Sequence, residues 1–167
     1  GELLWQGRTA HSWAAADAAL ARAFMPQQRQ DRFSMPVWRL LALSRPMSAR
    51  EEASPGSEEQ ARVAALLDAL GIRHLAGRDV LRLSGGERQR VALAQCMLQG
   101  APMMLLDEPV SFQDPSHQWQ VGLLLRRHAA RGEAGIVLTA HDLNWVGRVA
   151  THVLALHADG SWSAGPA

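Results

Sequence analysis

Two adjacent carboxylates, Asp107 and Glu108, and a histidine, His141, are the side chains in this sequence best suited to chemistry. The carboxylates follow the apolar run 103–106, and His141 follows the apolar run 136–140. A carboxylate at such a position can hold Mg²⁺, directly or through water, and its neighbour can polarise an attacking water. The spacing therefore predicts a metal–nucleotide site, with Asp107 on the metal and Glu108 as the base. The alternative is an ordinary strand exit into a turn and a packed histidine.

The segment 83–90, with the sequence Leu-Ser-Gly-Gly-Glu-Arg-Gln-Arg, predicts the start of a helix that holds an anion. Ser84 can cap this helix, and Glu87 completes a capping box. Gly85 and Gly86 remove side chains where a ligand could touch the backbone. The free N–H groups and the positive end of the helix dipole would then face a phosphate. The alternative is a well-capped helix with a glycine-rich start and no ligand.

Composition is that of one globular domain of 167 residues, with 47% apolar and 20% charged residues. The net charge of +1 argues against a nucleic-acid partner. All 17 basic residues are arginines, so these residues contain no P-loop lysine. No apolar run approaches the roughly 20 residues that span a bilayer. The chain begins at Gly1 and not at methionine, which is consistent with a fragment.

Residues 28–82 are predicted to be mostly helical, after a first segment that contains strands. Residues 1–7 are expected to form one short strand, and residues 23–25 the end of another. A helix is expected to begin at Pro36, with its apolar face made of Val37, Trp38, Leu40 and Leu41. A polar connection over 44–56 leads to a second capping box, Ser57 with Gln60, and that helix should end at Gly71.

The second half has a different pattern. The runs 103–106 and 136–140 are apolar without alternation, and a helix beginning at Asp114–Pro115 joins them. This arrangement predicts a buried parallel sheet, and ligands bind beyond the carboxyl ends of such strands. Asp142 is expected to cap the next helix, which leaves His141 free to face a ligand. A hairpin over 153–163 would close the chain.

In this order, the motifs resemble the nucleotide-binding subunit of an ATP-binding-cassette (ABC) transporter. Residues 83–87 look like the signature motif, and residues 103–107 look like the Walker B strand. The resemblance implies family roles for four further residues: the catalytic glutamate Glu108, the switch histidine His141, the D-loop aspartate Asp114 and the Q-loop glutamine Gln27.

The resemblance also implies an α/β fold of the P-loop NTPase type: a parallel sheet core with a helical subdomain, truncated at the N-terminus. Residues 1–27 would form the core segment that leads to the Q-loop, and residues 28–82 the helical subdomain. Residues 83–167 would carry the signature helix together with the Walker B and H-loop part of the core.

The implied activity is ATP hydrolysis with ATP and Mg²⁺ as cofactors, in a head-to-tail homodimer. Glu108 and His141 would be the catalytic residues, and Asp107 and Gln27 would bind the metal. The nucleotide would be bound by Gln27, Ser84, Gly85, Gly86, Glu87 and Asp114. Transmembrane permease subunits would dock against residues 27–43, and a substrate-binding protein would act indirectly. The complex would lie on the cytoplasmic face of the inner membrane.

The sequence departs from the family pattern in three ways, one of which is that Gln95 stands where many members have arginine. The P-loop, which family members carry upstream of the position of Gly1, is absent, so we expect a fragment that is inactive alone. The D-loop contains Ser111, Phe112 and Gln113, where small and aliphatic residues usually precede the aspartate.

Within the family, segments 24–28 and 33–38 are most similar to vitamin B12 (cobalamin) importers. Importers of iron-siderophores or haem share this architecture and stay open as alternatives. A non-catalytic domain that has lost its P-loop is another alternative, and so is an ABC protein of translation or DNA repair.

Overall fold

The computed structural model describes residues 2–5, 7–27, 31–44 and 57–167 of the chain. Within these ranges there are seven strands and six α-helices. The strands are β1 (Leu4–Trp5), β2 (Arg8–Thr9), β3 (Ala23–Met25), β4 (Met103–Asp107), β5 (Gly135–Thr139), β6 (His152–Leu156) and β7 (Trp162–Pro166). The helices are α1 (Ala15–Ala21), α2 (Val37–Ala42), α3 (Ser57–Ala69), α4 (Gly85–Gln99), α5 (Pro115–Ala130) and α6 (Leu143–Val149).

The central sheet is parallel, with the strand order β3-β4-β5. Two antiparallel hairpins accompany it, β1 with β2 and β6 with β7. The predicted parallel sheet and closing hairpin are therefore confirmed. The short strand predicted within residues 1–7 is confirmed as Leu4–Trp5, and after a turn Arg8–Thr9 pairs with it as a second strand. Gly7 adopts φ +73° at this turn, a conformation that glycine reaches without steric cost.

One face of the sheet is more exposed than the sequence predicts. Phe24, Leu105 and Val137 lie side by side across the three strands. Phe24 is 59% exposed and Val137 is 56% exposed, whereas Met104 and Leu106 on the other face are buried. Apolar side chains without alternation indicate burial on both faces, but in the described part of the chain the second face stays open. That part of the prediction is wrong for these residues.

The helix α4 has the predicted beginning and an abrupt end. Ser84 and Glu87 form the capping box, and Gly100 ends the helix at φ +67°. Val91, Leu93 and other residues of the helix are buried where it packs against β3 and α2. This packing fixes the direction of the helix relative to the sheet.

The helical segment between β3 and α4 is confirmed where the structure describes it. In α2, Val37 and Leu41 are buried, but Trp38 is 58% exposed, so its assignment to the apolar face is wrong. The helix α3 ends as predicted at Gly71, where the Ile72 N–H donates to the Leu67 carbonyl at 2.9 Å. The connection predicted for 44–56 lies outside the described residues except for Ser44, as does the Ser57 side chain of the second capping box.

Candidate active site

The carboxyl ends of the three parallel strands bring polar side chains together. Gln27 lies two residues beyond β3, Asp107 ends β4, and His141 lies two residues beyond β5. The register places Asp107 opposite Thr139 on the neighbouring strand. Because all three strands run the same way, residues distant in sequence meet at one edge. This edge is the candidate active site.

The Glu108 carboxylate is the centre of this site. Its Oε1 lies 2.6 Å from Nε2 of His141, and its Oε2 accepts a hydrogen bond of 2.6 Å from the Ser111 hydroxyl. The Gln27 side chain also hydrogen-bonds the carboxylate. The Ser111 hydroxyl, and then His141 and Gln27, lower the pKa of Glu108 below its usual range. Glu108 is therefore ionised at neutral pH, as a general base must be.

His141 is free to act on a ligand, because the residue after it caps the next helix. Asp142 accepts backbone hydrogen bonds from Asn144 and Trp145 at the start of α6. The His141 side chain is 87% exposed and touches the site through its Nε2. Because Glu108 is ionised, Nε2 carries the proton and donates it in this bond.

The backbone of Glu108 is held in an uncommon conformation. Its φ is +48°, in the left-handed region that costs a non-glycine residue about 1–2 kcal/mol. The Glu108 N–H donates to Thr139 Oγ1 at 3.0 Å, and the same hydroxyl donates to Asp107 Oδ1 at 2.6 Å. The buried Gln89 amide donates to the Glu108 carbonyl at 2.5 Å. The conformation is thus fixed from both sides of the residue.

Three residues of this site were not identified from the sequence: Thr139, Ser111 and Gln89. Thr139 ends a strand whose neighbour ends at Asp107, and only the strand register shows that they meet. Ser111 lies three residues after Glu108, in a turn whose N–H returns to the Glu108 carbonyl at 3.2 Å. Gln89 had a visible signal, because it is a polar residue in line with the buried Leu93 and Cys96 of α4.

Ser84 and Glu87, at the start of α4, bond to each other through their side chains and backbone. Ser84 Oγ accepts from the Glu87 N–H at 3.3 Å, and Glu87 Oε2 accepts from the Ser84 N–H at 2.8 Å. The Ser84 backbone N–H is the main cause of the lowered pKa of Glu87. The N–H groups of Gly85 and Gly86, in the first turn, have no acceptor within the helix. This helix end therefore presents backbone donors that a ligand can accept from.

Asp114 also lies apart from Glu108 and acts as a helix cap. Its Oδ1 accepts from the backbone of Ser116 and His117, and its Oδ2 lies 2.5 Å from His117 Nδ1. The His117 side chain is the main cause of the lowered pKa of Asp114. In the loop before it, Phe112 is 73% exposed at φ +63°, and Gln113 is buried. Of the unusual D-loop residues, Phe112 thus lies at the surface and Gln113 in the interior.

Asp107 and Gln27 fit a magnesium ion that arrives with a nucleotide. Only one Asp107 oxygen is used by the Thr139 contact, and Gln27 offers an amide oxygen. Mg²⁺ in nucleotide sites takes one or two protein oxygens and completes its shell with phosphates and water. The described residues contain no cluster of three or more His, Cys, Asp or Glu side chains that would hold a metal unaided. Asp107 and Gln27 would be the protein ligands of such an ion.

Comparisons with known proteins identify the class. The family model "ABC transporter" matches residues 1–111. The chain belongs to the ABC transporter family, and its α/β fold is that of the ABC ATPase domain. The resemblance and the fold class predicted from the sequence are confirmed. Within the described ranges, no helix is long and apolar enough to cross a membrane.

Individual relatives are importer subunits. The Hemin import ATP-binding protein HmuV of Streptomyces coelicolor is 37% identical over 161 residues, which cover 96% of this chain and 56% of the relative. The Vitamin B12 import ATP-binding protein BtuD of Citrobacter koseri is 35% identical, with 97% and 61% covered. A metal-chelate type ABC transporter in an inward-facing conformation superposes with a TM-score of 0.70 at 30% identity, with 87% of this chain and 58% of that chain covered. This chain thus spans less than two thirds of the length of these relatives.

Proposed function

We propose that these 167 residues are part of the ATP-hydrolysing subunit of an ABC import complex. The observation that carries the proposal is the Glu108 carboxylate, ionised and held between His141, Ser111 and Gln27 beside Asp107. A positioned carboxylate next to a candidate Mg²⁺ ligand is the arrangement that water-driven phosphoryl transfer requires.

In the proposed reaction, Glu108 orients and polarises the attacking water. One of its present contacts, with His141 or Ser111, gives way to that water. The exposed His141 then turns its Nε2–H toward the transferred phosphate, where it stabilises negative charge. Asp107 and the Gln27 amide oxygen would hold Mg²⁺, which would neutralise charge on the phosphates.

The other half of each site comes, in this proposal, from a second copy of the chain. Ser84, Gly85 and Gly86 present N–H groups and a positive helix end to a ligand. A head-to-tail homodimer would place them on the partner's nucleotide. Asp114 would lie at the contact between the two copies, and Glu87 would support the helix end through its capping bonds.

We further propose that membrane permease subunits dock on the surface that follows Gln27. Phe33, Trp38 and Leu43 there are 73%, 58% and 50% exposed and would supply apolar surface for such a contact. Such a complex sits on the cytoplasmic face of the inner membrane, with a substrate-binding protein acting indirectly. The residues 24–28 and 33–38 favour cobalamin as the substrate, and the haem importers among the relatives support haem as the alternative.

The test is ATP hydrolysis by the full-length protein and by residues 1–167 alone. We expect steady Mg²⁺-dependent turnover from the full-length protein. Residues 1–167 contain no lysine for a P-loop, so we expect none from them. Turnover by residues 1–167 would contradict the proposed need for a P-loop outside this segment. Absence of turnover in the full-length protein with its permease would instead favour a non-catalytic domain.

A further inference from the structure

Gln89 is buried in the structure, yet it carries a polar side chain. It lies in the second turn of α4 and is 6% exposed, in line with Leu93 and Cys96. A buried amide costs free energy unless it is hydrogen-bonded. Its Nε2 is bonded to the carbonyl oxygen of Glu108 at 2.5 Å. The signature helix thus touches the backbone of the proposed catalytic residue directly.

Glu108 needs such a contact because its backbone is strained. Outside glycine, the described residues include two with positive φ, Glu108 at +48° and Phe112 at +63°. Both rest against α4. The Glu108 carbonyl meets Gln89, and the Phe112 carbonyl oxygen would lie 3.1 Å from a Cβ built on Gly86. Strained residues persist only where their surroundings over-determine them, and here one helix supplies contacts at both.

The direction of the Glu108 carboxylate follows from this backbone. Thr139 accepts the Glu108 N–H at 3.0 Å, while Gln89 and the Ser111 N–H share the Glu108 carbonyl. With both peptide groups held, the side chain leaves the chain toward His141. Without the Gln89 bond, the carbonyl would keep only its turn contact with Ser111, and the left-handed residue could relax.

We propose that Gln89 is a positioning residue that couples the N-terminus of α4 to the catalytic carboxylate of the same subunit. This rests on the proposed ATPase function. A phosphate bound at residues 84–86 shifts or stiffens the first turn of α4, and Gln89, five residues after the cap, transmits this to Glu108. The segment that contacts the partner's nucleotide then also controls whether its own subunit's base is aligned.

Gln95 provides a matched control on the same helix. It is 9% exposed, and its Nε2 donates to Ser44 Oγ at 3.0 Å, away from Glu108. Gln89→Met and Gln95→Met each remove one buried amide and keep side-chain length and helix propensity. The two variants therefore differ in whether the lost bond reaches Glu108.

The experiment measures kcat and KM for ATP in the full-length protein with its permease. Misplacement of a reacting group by about 1 Å costs on the order of 100-fold, so we expect Gln89→Met to lower kcat by about 10- to 100-fold with KM for ATP unchanged. Gln95→Met should leave both constants close to wild type. In a Glu108→Gln background, Gln89→Met should cause no further loss of rate, because the group that it positions is already gone.

Equal kinetics for Gln89→Met and Gln95→Met would overturn the proposal, as would a change in KM alone. If Gln89→Met does not fold, Gln89→Glu, whose carboxylate cannot donate at neutral pH, replaces it. If neither Gln89 variant folds, the role of Gln89 is to stabilise the fold. That result would also overturn the proposed coupling between α4 and Glu108. Failure of the proposed ATPase function would give a different result. The wild-type protein would then show no ATP turnover, or the Glu108→Gln variant would turn over ATP at the wild-type rate.

Discussion

Nε2 of His141 lies 2.6 Å from Oε1 of Glu108, although the residues are 33 positions apart and follow different strands. The pair exists because β4 and β5 run parallel with Asp107 opposite Thr139. The residues that follow the two strands, Glu108 after β4 and His141 after β5, therefore lie at the same edge of the sheet. The bond with His141 contributes to the lowered pKa of the Glu108 carboxylate, after the Ser111 hydroxyl. Four predictions follow, two on Glu108 and its surroundings and two on the helices that Ser84 and Gly122 belong to.

Glu108→Gln should preserve ATP binding and nearly abolish hydrolysis in the full-length protein. The amide keeps the shape of the side chain but cannot accept a proton, and a positioned base contributes about 10²- to 10⁴-fold to the rate. Single-turnover hydrolysis and equilibrium ATP binding separate the two effects. Glu133→Gln is the control, because Glu133 is paired with His128 outside the site. Normal turnover in Glu108→Gln would remove Glu108 from the role of base.

Ser111→Ala should move the acid limb of the pH–rate profile to higher pH. The Ser111 hydroxyl is the largest cause of the lowered pKa of Glu108, so its loss raises that pKa toward the ordinary value. The base is then protonated at a pH where the wild-type base is still ionised, and activity falls earlier on acidification. The profile of Ser116→Ala, altered in the first turn of α5, should match wild type. An acid limb that does not move in Ser111→Ala would contradict the assigned cause.

Substitutions of Ser84 should separate helix capping from nucleotide recognition. Ser84→Ala removes the cap and should lower the free energy of unfolding by about 1 kcal/mol. Ser84→Asp restores a good cap but adds a negative charge where a phosphate is proposed to bind, so it should fold stably and lose ATP turnover. Urea denaturation and ATPase rates are measured on the same preparations. Wild-type turnover in Ser84→Asp would argue against phosphate contact at this helix end.

Gly122→Ala should destabilise the contact between α5 and α6. A Cβ at Gly122 would lie 2.6 Å from Val149 Cγ2 and 3.2 Å from Trp145 Nε1, so these side chains or α6 itself would have to shift. Overpacking of this kind costs about 1–3 kcal/mol. Gly147→Ala, in α6 itself, meets nothing within 4 Å and should be neutral or stabilising by up to about 1 kcal/mol. Equal urea midpoints for the two variants would show that the helices adjust freely.

Much of the fold could be predicted because its signals are local. Ser84, Asp114 and Asp142 are helix caps in the structure as in the prediction, since a cap depends on residues within one turn. Gly71 ends α3 for the same reason. Side-chain exposure was less predictable. Trp38 is apolar and within reach of the helix core, yet it faces outward, because burial depends on which neighbouring elements pack there.

The sequence by itself determined which groups are present and where helices and strands begin and end, since capping, turn formation and periodicity act over a few residues. It also showed the motif order on which the family resemblance rested, and family membership is confirmed. The roles of the nine candidate site residues remain predictions. Only the tertiary structure decided that Thr139, Ser111 and Gln89 hold Glu108, because these contacts depend on strand register, a reversed turn and the packing of α4 against the sheet. Thr139 and Gln89 are distant from Glu108 in sequence, so their contacts with its backbone have no local signal. The Ser111 hydroxyl, three residues away, is the main cause of the lowered pKa of the carboxylate.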